Sequence, residues 1–186
     1  MAVNELTEEE LAKLNEEMFN KMNREFKSLS KEDLEKEIVD YLGKKQVCSL
    51  GTCGKDGMPR ISVVNYVNEG LSIYIFSEGG EKFKNLKENS KVAIGIGNDY
   101  RKFDALRGLN VWGSAEIYTE DDNEFYPAMK LFRPIFEKYE KETGISLTFP
   151  KGMLRIIRIT PTRMVYYCNK KGITNAHWEA DVCQGA

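Results

Sequence analysis

The hydrophobic period of the chain changes once, at Gln46, and that change restricts the fold more than any single motif does. Before it, residues 5–45 are rich in charge and place Leu6, Leu11, Leu14, Met18, Met22 and Phe26, then Leu34, Ile38 and Leu42, at the spacing of amphipathic helices. Thr7 with Glu10, and Ser30 with Asp33, are pairs that satisfy the free amides of a helix start, so two helices are predicted with a break near Ser28–Ser30. After it, Val47–Thr52, Ile61–Val67, Leu71–Phe76 and Val92–Ile96 are short runs rich in β-branched and aromatic residues. Gly-containing turns at Gly54–Pro59 and Asn68–Gly70 separate them. A short helix is expected over Lys82–Asn89, and two longer strands over Asn110–Thr119 and Leu154–Tyr167. Between those strands Phe125, Met129, Phe132, Ile135, Phe136 and Tyr139 repeat at helical spacing, which predicts one helix over Asp122–Thr143.

Strands joined by close turns, without regular crossover helices, argue against a doubly wound parallel sheet. The expected fold is mainly β with flanking helices: a six-stranded antiparallel barrel, since closure removes exposed sheet edges. A length of 186 residues suits one such domain, with a helical extension over 1–45 and the barrel over 46–186.

Lys plus Arg total 27 against 29 for Asp plus Glu, so the basic excess of a duplex-binding domain is missing and nucleic acid is not an expected partner. No apolar run approaches the ~20 residues that cross a bilayer, and the acidic start lacks a signal peptide's pattern. A cytoplasmic location without membrane association is therefore expected. Cys48, Cys53, Cys168 and Cys183 show no CxxC spacing and are expected to be small, mostly buried thiols. With His177 as the single histidine, neither a zinc cluster nor a His-carboxylate relay is expected, and no metal site is assigned. The dinucleotide, Walker and nucleophile-elbow motifs are absent.

One segment has the makings of a phosphate site. Ser77-Glu78-Gly79-Gly80-Glu81-Lys82 joins the strand ending at Phe76 to the following helix. Two glycines let backbone approach an anion, the helix start offers amides, Ser77 adds a hydroxyl and Lys82 a charge, with Lys84 and Lys87 nearby. Taken alone, Gly-Gly before a helix also fits an ordinary loop.

The order of pieces adds context. Ser49-Leu50-Gly51-Thr52, then Gly54-Lys55-Asp56-Gly57-Met58-Pro59-Arg60, then Ser77 with Glu81-Lys82, then Asn85-Leu86-Lys87-Glu88-Asn89-Ser90-Lys91-Val92 resemble the FMN-binding split-barrel proteins related to pyridoxamine 5'-phosphate oxidase. The resemblance spans about Val47 to Tyr167. It implies a homodimeric split barrel with FMN at the subunit interface, in which Arg60, Ile61, Ser62 and Val63 line the flavin ring while Ser77 and Lys82 hold the phosphate. Arg107 falls on the next flavin-contacting strand, and Trp178 is a candidate to fold over a flavin, the alternative being a loosely docked tail. Trp112 is expected to pack within the barrel.

The chain departs from the oxidases themselves. Asn65 stands where they carry a Lys, Gly108 where they carry a Gln, and Asn175-Ala176-His177-Trp178-Glu179-Ala180 lacks their substrate-binding Arg residues. The resemblance therefore implies an FMN-dependent oxidoreductase acting with a small-molecule electron donor or acceptor, but not a true pyridoxamine-phosphate oxidase. A carrier or redox sensor that holds flavin or haem without turnover is the alternative. A further reading makes the helices of 5–45 and 122–143 a partner-docking surface, although packing on the barrel or across a dimer explains their apolar stripes more simply.

Overall fold

The computed structural model describes residues 6–181. Both predicted helix starts are present: Thr7 and Glu10 form a reciprocal capping box on α1 (Glu8–Lys21), and Ser30 accepts from the Asp33 amide at the start of α2 (Lys31–Gly43). Eight antiparallel strands follow: β1 (Val47–Cys53), β2 (Pro59–Asn65), β3 (Val67–Glu69), β4 (Ser72–Ser77), β5 (Lys91–Ile96), β6 (Arg107–Tyr118), β7 (Arg155–Cys168) and β8 (Ile173–Glu179). Helix α3 (Glu81–Glu88) links β4 to β5, and α4 (Phe125–Lys130) and α5 (Arg133–Thr143) link β6 to β7.

The strands form one sheet in the order β2-β1-β5-β6-β7-β4-β3, with β8 added beside β7. Long strands β6 and β7 let it curl. Their register slips where Gly113 lies opposite Pro161, and a Cβ at Gly113 would press into the Thr160 carbonyl, so only glycine permits that approach. The free edge of β7 is divided: β4 pairs with Arg155–Ile159, and β8 pairs with Arg163–Cys168. At the split, β2 and β4 come within 8 Å (Cα to Cα) without backbone pairing, which leaves one edge of β2 free.

Alternation along the strands sends Leu50, Ile94, Val111, Ile157 and Ile75 inward, where they meet Ile38, Tyr41 and Leu42 of α2 and Phe83 and Leu86 of α3. Helix α2 thus shares the main core with the sheet. A second cluster on the outer face joins Tyr74, Phe76 and Ile156 to Phe125, Ala128 and Phe132 of the α4–α5 hairpin. Strands β4 and β7 are apolar on both faces because they separate these two clusters. Among the thiols, Cys48 is buried, which pushes its pKa up to about 12, and it stays neutral.

Four expectations are corrected. The run 61–67 is two strands, β2 and β3, and the segment after Gly172 is a paired strand rather than a loose tail, which raises the count from six to eight. The single helix over 122–143 is two, because Pro134 lacks the amide that a continuous helix requires and stands instead in the first turn of α5. Trp112 lies half exposed on the outer face, under the Arg163 guanidinium, instead of inside the barrel. The apolar stripe of α1 is only partly packed: Phe19 is buried against Phe26 and Phe103, while Leu14, Met18 and Met22 are exposed.

Candidate flavin site at the split of the barrel

Gly80 adopts φ 103°, a conformation open to glycine, and this turns the chain from β4 into α3 with no side chain capping the helix. The Lys82 ammonium folds back to donate to the Gly79 carbonyl at 2.7 Å, and the Ser77 hydroxyl donates to the same oxygen at 3.4 Å. Sheet register then adds a residue that motif reading missed. Arg155 pairs with Ser77 across β4 and β7, donates to the Glu78 carbonyl at 3.4 Å, and sets its guanidinium 5.3 Å from the Phe83 ring centre. Lys82 Nζ lies at the same distance from that ring.

Neither cation forms an ion pair with a carboxylate among the described residues. Burial without a counter-charge lowers the pKa of Lys82. Two cations bound only to carbonyls, beside an uncapped helix start, form a site whose electrostatics call for an anion. Glu81 does not fill it. Its carboxyl is held below the usual range by Lys84, 2.6 Å away, and more weakly by Arg60.

Arg60 lies on β2, which approaches β4 at the split. Its Nη2 lies 3.6 Å from Asp56, and its Nε is shielded from solvent without a partner. Along β2, Arg60, Ser62 and Val64 are half-buried, whereas Ile61 and Val63 are 69% and 74% exposed on the other face. The strand's free edge leaves backbone donors and acceptors for a ligand. Ser77, Lys82 and Arg155 therefore share one cradle, with Arg60 on the strand beside it.

Two other residues from the sequence reading lie elsewhere in this protomer. Arg107 pairs with Cys168 at the opposite end of β7 from Arg155. Its guanidinium stacks 4.5 Å over Tyr41, its Nε donates to the Tyr166 hydroxyl at 2.7 Å, and Asp40 and Glu37 neutralise it. It anchors α2 to the sheet. Trp178 is buried with the main core, and its indole N–H donates to Glu35 of α2 at 2.6 Å, so its polar edge is already taken. The glycine at 108 has a local cause as well: a Cβ there would collide with the Tyr167 ring.

The outer face of β2-β1-β5-β6 completes the surroundings. Register aligns Ile61, Gly51, Ala93 and Trp112 in one row and Val63, Ser49, Gly95 and Asn110 in the next. Small residues in the middle and exposed apolar ones at the rim make this face flat and sticky.

The profile of the pyridoxamine 5'-phosphate oxidase family matches residues 34–168. The chain belongs to that family. A search of curated proteins finds no match. Among solved structures, the chain resembles a Clostridium acetobutylicum protein related to general stress protein 26 of B. subtilis, at 18% identity and TM-score 0.58, covering 82% of this chain and 98% of the other. It also resembles an FAD-binding protein from Mesorhizobium loti, at 18% identity and TM-score 0.53, covering 69% and 89%. The haem storage protein HutZ from Vibrio cholerae matches at 18% identity and TM-score 0.53, covering 77% and 98%. At these identities the likeness of the three structures concerns the fold. Within the pyridoxamine 5'-phosphate oxidase family, the split barrel expected from the sequence is the fold of this chain. No helix among the described residues is long and apolar enough to cross a membrane.

Proposed function

We propose that this protein binds FMN at the split of the barrel and passes electrons between it and a small molecule. The observation that carries the proposal is the pair Lys82 and Arg155, two cations on one ring without a carboxylate partner. Two positive charges match the dianionic monoester of FMN better than the phosphate-free riboflavin. Ser77 and the first amides of α3 supply further donors, and Arg60 with the free edge of β2, through Val63, faces the ring's polar rim. The unpartnered Nε of Arg60 fits a ligand that accepts a hydrogen bond there.

Bound FMN supplies the electron-accepting ring, and the protein's part is to hold, orient and polarise it. No catalytic acid or base is assigned to the chain. True pyridoxamine-phosphate oxidase activity is not proposed, because the substrate Arg residues are missing around His177 and the Trp178 ring is buried against α2. The second reading, a carrier or sensor holding flavin or haem without turnover, is supported by the likeness to a haem storage protein.

The test is a visible spectrum of the purified protein with added FMN or added haem, followed by heat release and mass identification. Uptake of about one FMN per chain, bleached by NADH, NADPH or a reduced deazaflavin, is the expected result. FMN that stays oxidised under all three supports the carrier, a haem spectrum supports its haem form, and a protein that ignores both ligands rules out both readings.

Assembly as a homodimer through the outer face of β2-β1-β5-β6 belongs to the same proposal, since the exposed Ile61, Val63 and Trp112 would be covered there. Ala93→Glu places a carboxylate at the centre of that face, where the side chain is exposed and the monomer fold tolerates it. A shift from dimer to monomer mass in analytical ultracentrifugation is expected. An Ala93→Glu protein that keeps the wild-type mass places the interface elsewhere.

A further inference from the structure

We propose that Asn85, Glu88 and Asn89 on and beside α3 are positioning residues that fix the distance between the phosphate cradle and the ring strand β2. The proposal rests on the flavin reading and concerns how the two halves of that site are held in register.

Helix α3 has eight residues, about 12 Å at the usual rise. Its first turn is the cradle, and its far end is bonded to the β1–β2 hairpin three times. Asn85 Nδ2 donates to Thr52 Oγ1 at 3.1 Å, Asn89 Nδ2 donates to the Cys53 carbonyl at 3.0 Å, and Glu88 Oε2 accepts from the Lys55 amide at 2.9 Å. Gly54 is pressed between them. A Cβ there would lie 3.1 Å from both Asn85 Oδ1 and Glu88 Oε2, so the missing side chain is what lets the turn close on the helix.

The connection runs in a ring. From the hairpin, Asp56 reaches Arg60 at the start of β2, and β2 in turn approaches β4, the strand that leads into α3. Cradle, helix, hairpin and ring strand thus close on one another. Asn85 and Thr52 are two of the three buried polar residues in the described chain, within a core that is otherwise apolar. Replacing both partners of a buried hydrogen bond by apolar groups of the same shape is often nearly neutral for stability. Their directional bond therefore sets position more than it adds stability.

A ligand that engages two subsites at once gains affinity only while their spacing matches its own. Loosening the strut should therefore cost FMN, which spans both subsites, and spare ligands that touch only one.

The experiment compares wild type with Asn89→Ala and Glu88→Ala, measuring FMN, riboflavin and inorganic phosphate, the last by competition. FMN affinity is expected to fall by about tenfold in Asn89→Ala and about threefold in Glu88→Ala, with riboflavin and phosphate affinities unchanged. Glu88→Gln retains an acceptor for the Lys55 amide and should recover the loss, which separates position from charge. Unchanged FMN affinity in both alanine variants overturns the proposal, as does a parallel fall for all three ligands, which marks general loosening. A wild-type protein that binds none of the three removes the flavin reading itself, and the strut with it.

Discussion

Ending the chain at Gly172 is expected to leave a protein that does not fold, or that collects in the insoluble fraction. Strand β8 covers the edge of β7 from Arg163 to Cys168, where Met164 and Tyr166 are fully buried. Removing it exposes a row of unpaired amides and carbonyls on an apolar edge, a template for aggregation. It also removes Ile173 and Trp178 from the core and the Trp178 bond to Glu35 that holds α2. Trp178→Ala alone should cost about 3–5 kcal/mol, the range for deleting a large buried aromatic side chain. Against a typical total of about 5–15 kcal/mol, the whole strand is more than the fold can lose. Thermal unfolding of Trp178→Ala and solubility of the truncated chain are the measurements. A truncated protein that melts within a few degrees of wild type would make β8 an appendage.

That expectation also shows where sequence reading stops. The period change at Gln46, both capped helix starts, the Gly54–Pro59 turn and the core of each long strand are local patterns, and the structure contains them. Strand β8 was not legible, because Ile173-Thr174-Asn175-Ala176-His177-Trp178-Glu179 carries few apolar residues and Asn175 takes φ 48°, so its pairing with β7 comes from tertiary context. Strict alternation is also broken, since Ile173 and Trp178 are both buried although they stand an odd number of positions apart. Within the candidate site, Ser77 and Lys82 could be singled out from the local pattern, and Arg60 from the family resemblance. Arg155 could not, because nothing local distinguishes it from Arg158 on the same strand. Its role comes from being opposite Ser77, seventy-eight positions earlier in the chain. Arg107 is the opposite case: the resemblance implied the ring, and within the protomer two tyrosines and two carboxylates hold it at the other end of β7.

Lys82→Ala and Arg155→Ala should each weaken FMN binding by about 1–3 kcal/mol, the range for one charge-assisted phosphate contact, or roughly tenfold for every 1.4 kcal/mol. Both side chains are attached to well-packed elements, and neither has an ion-pair partner to strand when it is removed, so the variants should fold. Because both cations flank Phe83 and would meet the same phosphate, the double variant is not expected to show the sum of the single effects. Riboflavin provides the internal control. It lacks the phosphate, so its affinity should be indifferent to either substitution, whereas inorganic phosphate should no longer compete with FMN in the variants. This pattern differs from the one expected for the strut residues in the phosphate arm alone, because there phosphate binding survives and only the ligand spanning both subsites suffers. Equal losses for FMN and riboflavin would move the two cations from the phosphate to the ring, and unchanged FMN affinity in a folded Lys82→Ala protein would take the phosphate away from this loop altogether.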